Sequence, residues 1–136
     1  MKSTLDRRSL FLVAIAVFLF TAHISQAQDD TTPKKRLRSP ATVSGFIGGE
    51  SHDSYVIRAR KGQTMTVRIS WRRAGDNNAG FSITRSPNFF TGEQIDFGNE
   101  SDGGKSWSGK IPATGNYYIY VTGHPTAHYR LRVRVK

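Results

Sequence analysis

From residue 41 onward, apolar and polar side chains alternate with a period of two in short runs, and no stretch shows the 3.6-residue spacing of a helix. The clearest run is 63–71. Met65, Val67, Ile69 and Trp71 alternate with Thr64, Thr66, Arg68 and Ser70, so one face of a strand belongs to a core and the other to water. In the run 54–60, Tyr55, Ile57 and Ala59 take the inner face and Arg58 and Arg60 the outer one. Lys61-Gly62 joins these two runs as a tight turn, with Gly62 free to adopt positive φ. Near the end of the chain, residues 117–121 and 129–136 flank a short loop with Gly123 and Pro125, which reads as a β-hairpin. Here Leu131, Val133 and Val135 point one way, and Arg130, Arg132, Arg134 and Lys136 the other.

Eight runs qualify as strands: 41–47, 54–60, 63–71, 80–84, 94–97, 106–110, 117–122 and 128–135. Gly, Asn, Asp and Pro separate them, which predicts an all-β domain over residues 41–136, a single antiparallel sandwich of jelly-roll-like kind. Residues 28–40 are polar, charged and interrupted by Pro33 and Pro40. They read as a flexible lead whose cluster, Lys34-Lys35-Arg36-Leu37-Arg38, is either a tether to an anionic surface or a solvated start to the first strand. Trp107, set between two serines, reads as a core anchor. Phe89-Phe90 reads either as a recognition tip or as a plug at one end of the sandwich.

Residues 1–27 read as an export signal. Lys2, Arg7 and Arg8 precede an apolar segment at 10–20, and Ser25-Gln26-Ala27 supplies a small-x-small cleavage site. That apolar segment falls well short of the roughly 20 residues that cross a bilayer, so no membrane span is expected. Arg7-Arg8 leaves the general secretory and twin-arginine routes both open. The expected location is periplasmic or secreted. With 0 Cys, the exported domain depends on its core, without disulfides or thiolate metal sites.

The whole chain carries 20 Lys plus Arg against 10 Asp plus Glu, a formal charge of +10. Removing residues 1–27 takes away Lys2, Arg7, Arg8 and Asp6 and leaves a charge of +8. This excess either favours acidic partners, among them anionic polysaccharide, or simply keeps a solvated surface. An exported protein has no call on nucleic acid. A basic face is expected where Arg130, Arg132 and Arg134 line up with Arg58, Arg60 or Arg68, with Tyr118 and Tyr120 nearby, a mixture that suits protein interfaces.

Catalytic patterns are missing. Trp107-Ser108-Gly109 lacks the strand-turn-helix setting of a nucleophile elbow. His52, His124 and His128 have no helical spacing and no Cys to complete a zinc set, and the acidic loop at 98–104 does not fit a calcium-loop spacing. No cofactor, metal or enzymatic activity is expected. Asn99-Glu100-Ser101 is a formal glycosylation sequon that matters only in a eukaryote.

Three segments carry a family resemblance: Thr42-Val43-Ser44-Gly45-Phe46-Ile47-Gly48-Gly49, then Asp53-Ser54-Tyr55-Val56-Ile57-Arg58-Ala59-Arg60-Lys61-Gly62-Gln63, then Ser108-Gly109-Lys110-Ile111-Pro112-Ala113-Thr114-Gly115-Asn116-Tyr117. Together they resemble bacterial pre-peptidase C-terminal-like β-sandwich domains, and within that group the periplasmic inhibitors of goose-type lysozyme. The resemblance covers residues 35–136. It implies a non-catalytic protein that binds a lysozyme-like cell-wall hydrolase. In several such inhibitors a Ser-Gly-x-Tyr loop reaches into the enzyme's cleft; the matching positions are Thr114, Gly115, Asn116 and Tyr117, with Thr in place of Ser. The resemblance implies contact through Thr114, Gly115 and Tyr117, with His124 and Arg130 of the final hairpin beside them. The other reading of the charge remains an adhesive module that holds anionic polysaccharide on its Arg/Tyr face.

Overall fold

The computed structural model describes residues 28–90 and 105–136. The leader at 1–27, the run 94–97, and the acidic loop and sequon at 98–104 lie outside the described residues. Those described form eight strands and no helix: β1 Lys34–Arg36, β2 Ala41–Gly48, β3 Asp53–Ala59, β4 Thr64–Trp71, β5 Asn78–Thr84, β6 Ser106–Lys110, β7 Gly115–His124 and β8 Thr126–Val135. They build two four-stranded sheets, ordered β1-β3-β7-β5 and β2-β8-β4-β6. All neighbours are antiparallel except the edge pair β1–β3. Each strand lies in the opposite sheet from the strand before it, so the chain winds around the core as a jelly roll does.

The inward residues of both sheets meet between them. Tyr55, Ile57, Met65, Val67, Ile83, Ile119 and Leu131 are each at most 1% exposed. Burying such a side chain contributes about 1.5–3 kcal/mol relative to leaving it in water. Their spacing is the alternation seen in the sequence, and β3, β4 and β8 present the faces expected of them. Gly62 adopts a φ of 87° in the β3–β4 turn, as that turn requires.

One polar group sits inside this apolar layer. The Tyr55 hydroxyl donates to Tyr129 Oη at 2.5 Å, and Tyr129 donates in turn to Asp53 Oδ2, pinning β3 of the first sheet to β8 of the second. Burial and then the hydrogen bond to Asp53 push the Tyr129 phenol pKa above its ordinary value. Gly45 lies opposite Tyr129 in the β2–β8 ladder, and a Cβ there would stand 2.6 Å from Tyr129 Oη. Only glycine lets the tyrosine come across.

Two sequence expectations are corrected. The final pair of runs is not a hairpin: β7 bonds to β3 and β5, β8 bonds to β2 and β4, and Pro125 is the single residue between them. The tight turn at Lys61-Gly62 also passes between sheets. The lead is the second correction, because residues 34–36 form β1 along β3 and Leu37 is 8% exposed, within the core. The Leu37 N–H donates to Val56 O at 2.8 Å, so backbone pairing and one buried leucine hold a segment whose side chains are otherwise polar.

The start of the described chain is fastened too. Asp30, its side chain 1% exposed, accepts from Thr32 N–H at 3.0 Å, Lys34 Nζ at 3.2 Å and Phe89 N–H at 3.3 Å, and pairs with His52 Nε2 at 3.1 Å. Burial alone would raise its pKa. The hydrogen bonds from Thr32, Lys34 and Phe89 outweigh that and hold it at about 2.

Candidate functional site

Two turns meet where β3 ends and β7 begins. The Gly62 N–H donates to Ile111 O at 2.8 Å, the Ile111 N–H to Gln63 O at 2.7 Å, and the Lys61 N–H to Thr114 Oγ1 at 3.0 Å. Arg60 N–H closes on Gln63 Oε1 at 2.7 Å. Residues 60–63 and 111–115 are thereby tied into one projection. Thr114 is exposed, and because its hydroxyl accepts from Lys61 it keeps its own proton for an outside acceptor.

This end of the sandwich is cationic. Arg60, Lys61, Lys110 and Lys136 are all exposed, and Lys136 exchanges backbone bonds with Thr64 at 2.8 and 3.0 Å. The side-chain carboxylates among the described residues are Asp29, Asp30, Glu50, Asp53 and Asp76. Strand direction places them all at the opposite end, around the start of β3 and beyond the end of β4.

Tyr117 does not reach the surface. It is fully buried, its hydroxyl donates to Ala113 O at 2.6 Å, and the Arg85 guanidinium lies 5.4 Å from its ring centroid. Its work is to shape the turn that presents Thr114. Gly115 serves the same turn, since a Cβ there would stand 2.8 Å from Arg85 Nη2.

His124 and Arg130 do not join Thr114. β7 runs from Gly115 to His124, which puts the histidine roughly 30 Å away at the far end of the sandwich. Arg130 lies partway along β8, aligned with Ser44 on one side and Ser70 on the other. The short turn before β8 therefore takes no part in the projection at Thr114. The five expected contact residues are divided among three places.

The basic face is likewise redrawn. Arg130, Arg132 and Arg134 point outward from β8, and Arg68 of β4 stands directly opposite Arg132. Arg58 belongs to the other sheet, aligned with Asn116 of β7, and Arg60 lies in the turn that follows β3. Tyr118 and Tyr120 are on that other sheet too, and Tyr120 is buried. What accompanies the arginines is a set of hydroxyls: Thr42 opposite Arg132, Thr66 opposite Arg134, and Ser44 and Ser70 flanking Arg130. Sequence reasoning passed over these hydroxyls, although their parity on β2 and β4 already placed them outward. The ion pairs among the described residues use Lys34, Lys35 and His52; no arginine enters one.

The remaining candidates have other roles. Phe89 stacks on His52 with centroids 4.3 Å apart and meets Tyr120 edge-on at 5.3 Å, closing over the outer side of the first sheet, while Phe90 beside it is 49% exposed. Trp107 packs against the core from β6. Among the described residues no three His, Cys, Asp or Glu side chains come together to hold a metal ion.

No protein-family model matches the sequence, and no curated protein matches it. Solved structures do. The chain is similar to Aeromonas hydrophila PliG, a periplasmic lysozyme inhibitor of g-type lysozyme, at 26% identity and a TM-score of 0.56, over 76% of this chain and 96% of that one. Salmonella Typhimurium PliG gives 24% identity and a TM-score of 0.49 over 76% and 98% of the two chains. The pre-peptidase C-terminal domain of a Bacillus anthracis collagenase gives 16% and 0.56 over 79% and 100%, a likeness of fold. The chain thus shares its sandwich with both groups that the sequence resembles.

Proposed function

We propose that the protein is an exported, non-catalytic inhibitor of a lysozyme-like muramidase, and that it works from the tied turns at 60–63 and 111–115. The likeness to the Aeromonas hydrophila inhibitor, which spans nearly all of that chain, carries the reading. Geometry and charge support it. The projection is braced by three hydrogen bonds between its two turns, so little ordering is needed when it enters a cleft. Glycosidase clefts hold catalytic carboxylates. Lys61 and Arg60 bring the opposite charge, and Thr114 brings a free hydroxyl proton.

The assay is lysis of bacterial cell walls by goose-type lysozyme with increasing amounts of the processed protein. Lysis should stop near a one-to-one ratio, and the variant Lys61→Glu should need at least about tenfold more protein for the same effect, as expected for reversing a charge beside buried carboxylates. Undiminished lysis by the parent protein overturns the inhibitor reading. Equal potency of Lys61→Glu overturns the assignment to this end.

A further inference from the structure

We propose that the outer face of the β2-β8-β4-β6 sheet is a second binding surface, and that its ligand is an anionic polysaccharide bearing phosphate groups. The surface adjoins the cationic end through Thr64 and Lys136 but shares no residue with the tied turns at 60–63 and 111–115, and it does not rest on the inhibitor reading.

Two arginines on this face repel each other. Arg68 and Arg132 are directly opposite in an antiparallel ladder, an arrangement that destabilises a sheet when both residues carry the same charge. Arg134 is the next outward residue on β8. Among the described residues neither an ion pair nor a nearby side-chain carboxylate relieves the three. A shallow groove of about 440 Å³ runs over them and is completed by Lys136 and the hydroxyls of Thr42 and Thr66. A polyanion lying in this groove removes the repulsion.

The groups present select the anion. A guanidinium offers a planar fork that meets two phosphate oxygens at once, and a threonine hydroxyl donates one further bond. Outward residues at successive even positions on β8 are separated by about 6.6–6.8 Å, and neighbouring strands by about 4.8 Å, so a chain carrying repeated charges meets one cation after another. The surroundings select the polymer. The groove has no aromatic ring for stacking nucleic-acid bases. It also has no large apolar side chain to enter a membrane; Phe46, the exposed one on this sheet, sits by His128 away from the groove. A hydroxylated, phosphate-bearing glycan matches a surface made of arginine, lysine, threonine and serine.

Phosphomannan is a suitable probe, with neutral mannan, inorganic phosphate, single-stranded DNA and phosphatidylglycerol vesicles as comparisons. The processed protein should bind phosphomannan in preference to all four, and affinity should fall about tenfold or more between about 50 and about 200 mM NaCl as counterions compete. The double variant Arg68→Ser/Arg132→Ser should lose at least about tenfold in phosphomannan affinity while its melting temperature stays level or rises, because the repulsion is gone. It should still inhibit lysozyme, and Lys61→Glu should still bind phosphomannan. Equal binding of neutral mannan, stronger binding of DNA or vesicles, or full affinity in the double variant each overturns the proposal.

Discussion

The two sheets turn their backs to different surroundings. On the β1-β3-β7-β5 sheet the outward residues Ser54, Val56, Thr84 and Tyr120 are all buried, although they point away from the space between the sheets. Residues 28–32 and 86–90 lie over them: Tyr120 donates its hydroxyl to Ser86 O at 2.9 Å, Phe89 packs on its ring, and Asn88 Nδ2 reaches Gln28 O at 3.1 Å. On the β2-β8-β4-β6 sheet the corresponding positions hold Arg68, Arg130, Arg132 and Arg134, all exposed. Alternation assigns a residue to a face. Whether that face is wet depends on the irregular segments laid across it.

The largest loss is expected at Tyr120. Tyr120→Ala removes an aromatic ring from under its cover and should cost about 3–5 kcal/mol, read from urea unfolding, although the residue is on the side that sequence parity marks as outward. A cost within surface scatter would mean that the cover contributes nothing.

Asp30 tests the fastening of that cover. Asp30→Ala leaves the Phe89 N–H and its other partners without an acceptor and should cost about 1–3 kcal/mol, with faster tryptic cleavage in residues 34–38. Acid sharpens the point. The folded carboxylate is held at about 2 against an ordinary 3.8, so its contribution is complete above the ordinary value and disappears as the pH falls through the folded one. The stability gap between the parent and Asp30→Asn should therefore narrow from pH 5 toward pH 2. A gap constant across that range would remove the aspartate from the account.

The smallest effect belongs to the bare face. Arg132→Ser should change stability by no more than about 0.5 kcal/mol, with any change at low salt in the stabilising direction. A loss comparable to that of Tyr120→Ala would erase the distinction between the two backs.

Much of this was legible before the structure. The core faces of β3, β4 and β8 follow from a period of two, and so does the exposure of the arginines on β8. Partnership was not legible. A short turn between two alternating runs looks the same whether the runs bond to each other or diverge into opposite sheets, which is why residues 117–136 read as a hairpin and why Arg58 was grouped with Arg132. β1 escaped because Lys34-Lys35-Arg36 has no apolar alternation; its pairing is through the backbone, which carries no residue code. The contact residues suggested by resemblance fared unevenly for a related reason. Thr114 sits on an exposed turn, while Tyr117 is inward by the same parity that fills the core, and His124 is a full strand away.

The winding of the chain also bears on how it folds. Because successive strands among the described residues do not bond to one another, none of them forms a hairpin as a local starting point, and the ladder that joins Ala41 to Val133 waits for nearly the whole domain to be present. Such long closures place this protein among slow folders, on the scale of about milliseconds to seconds.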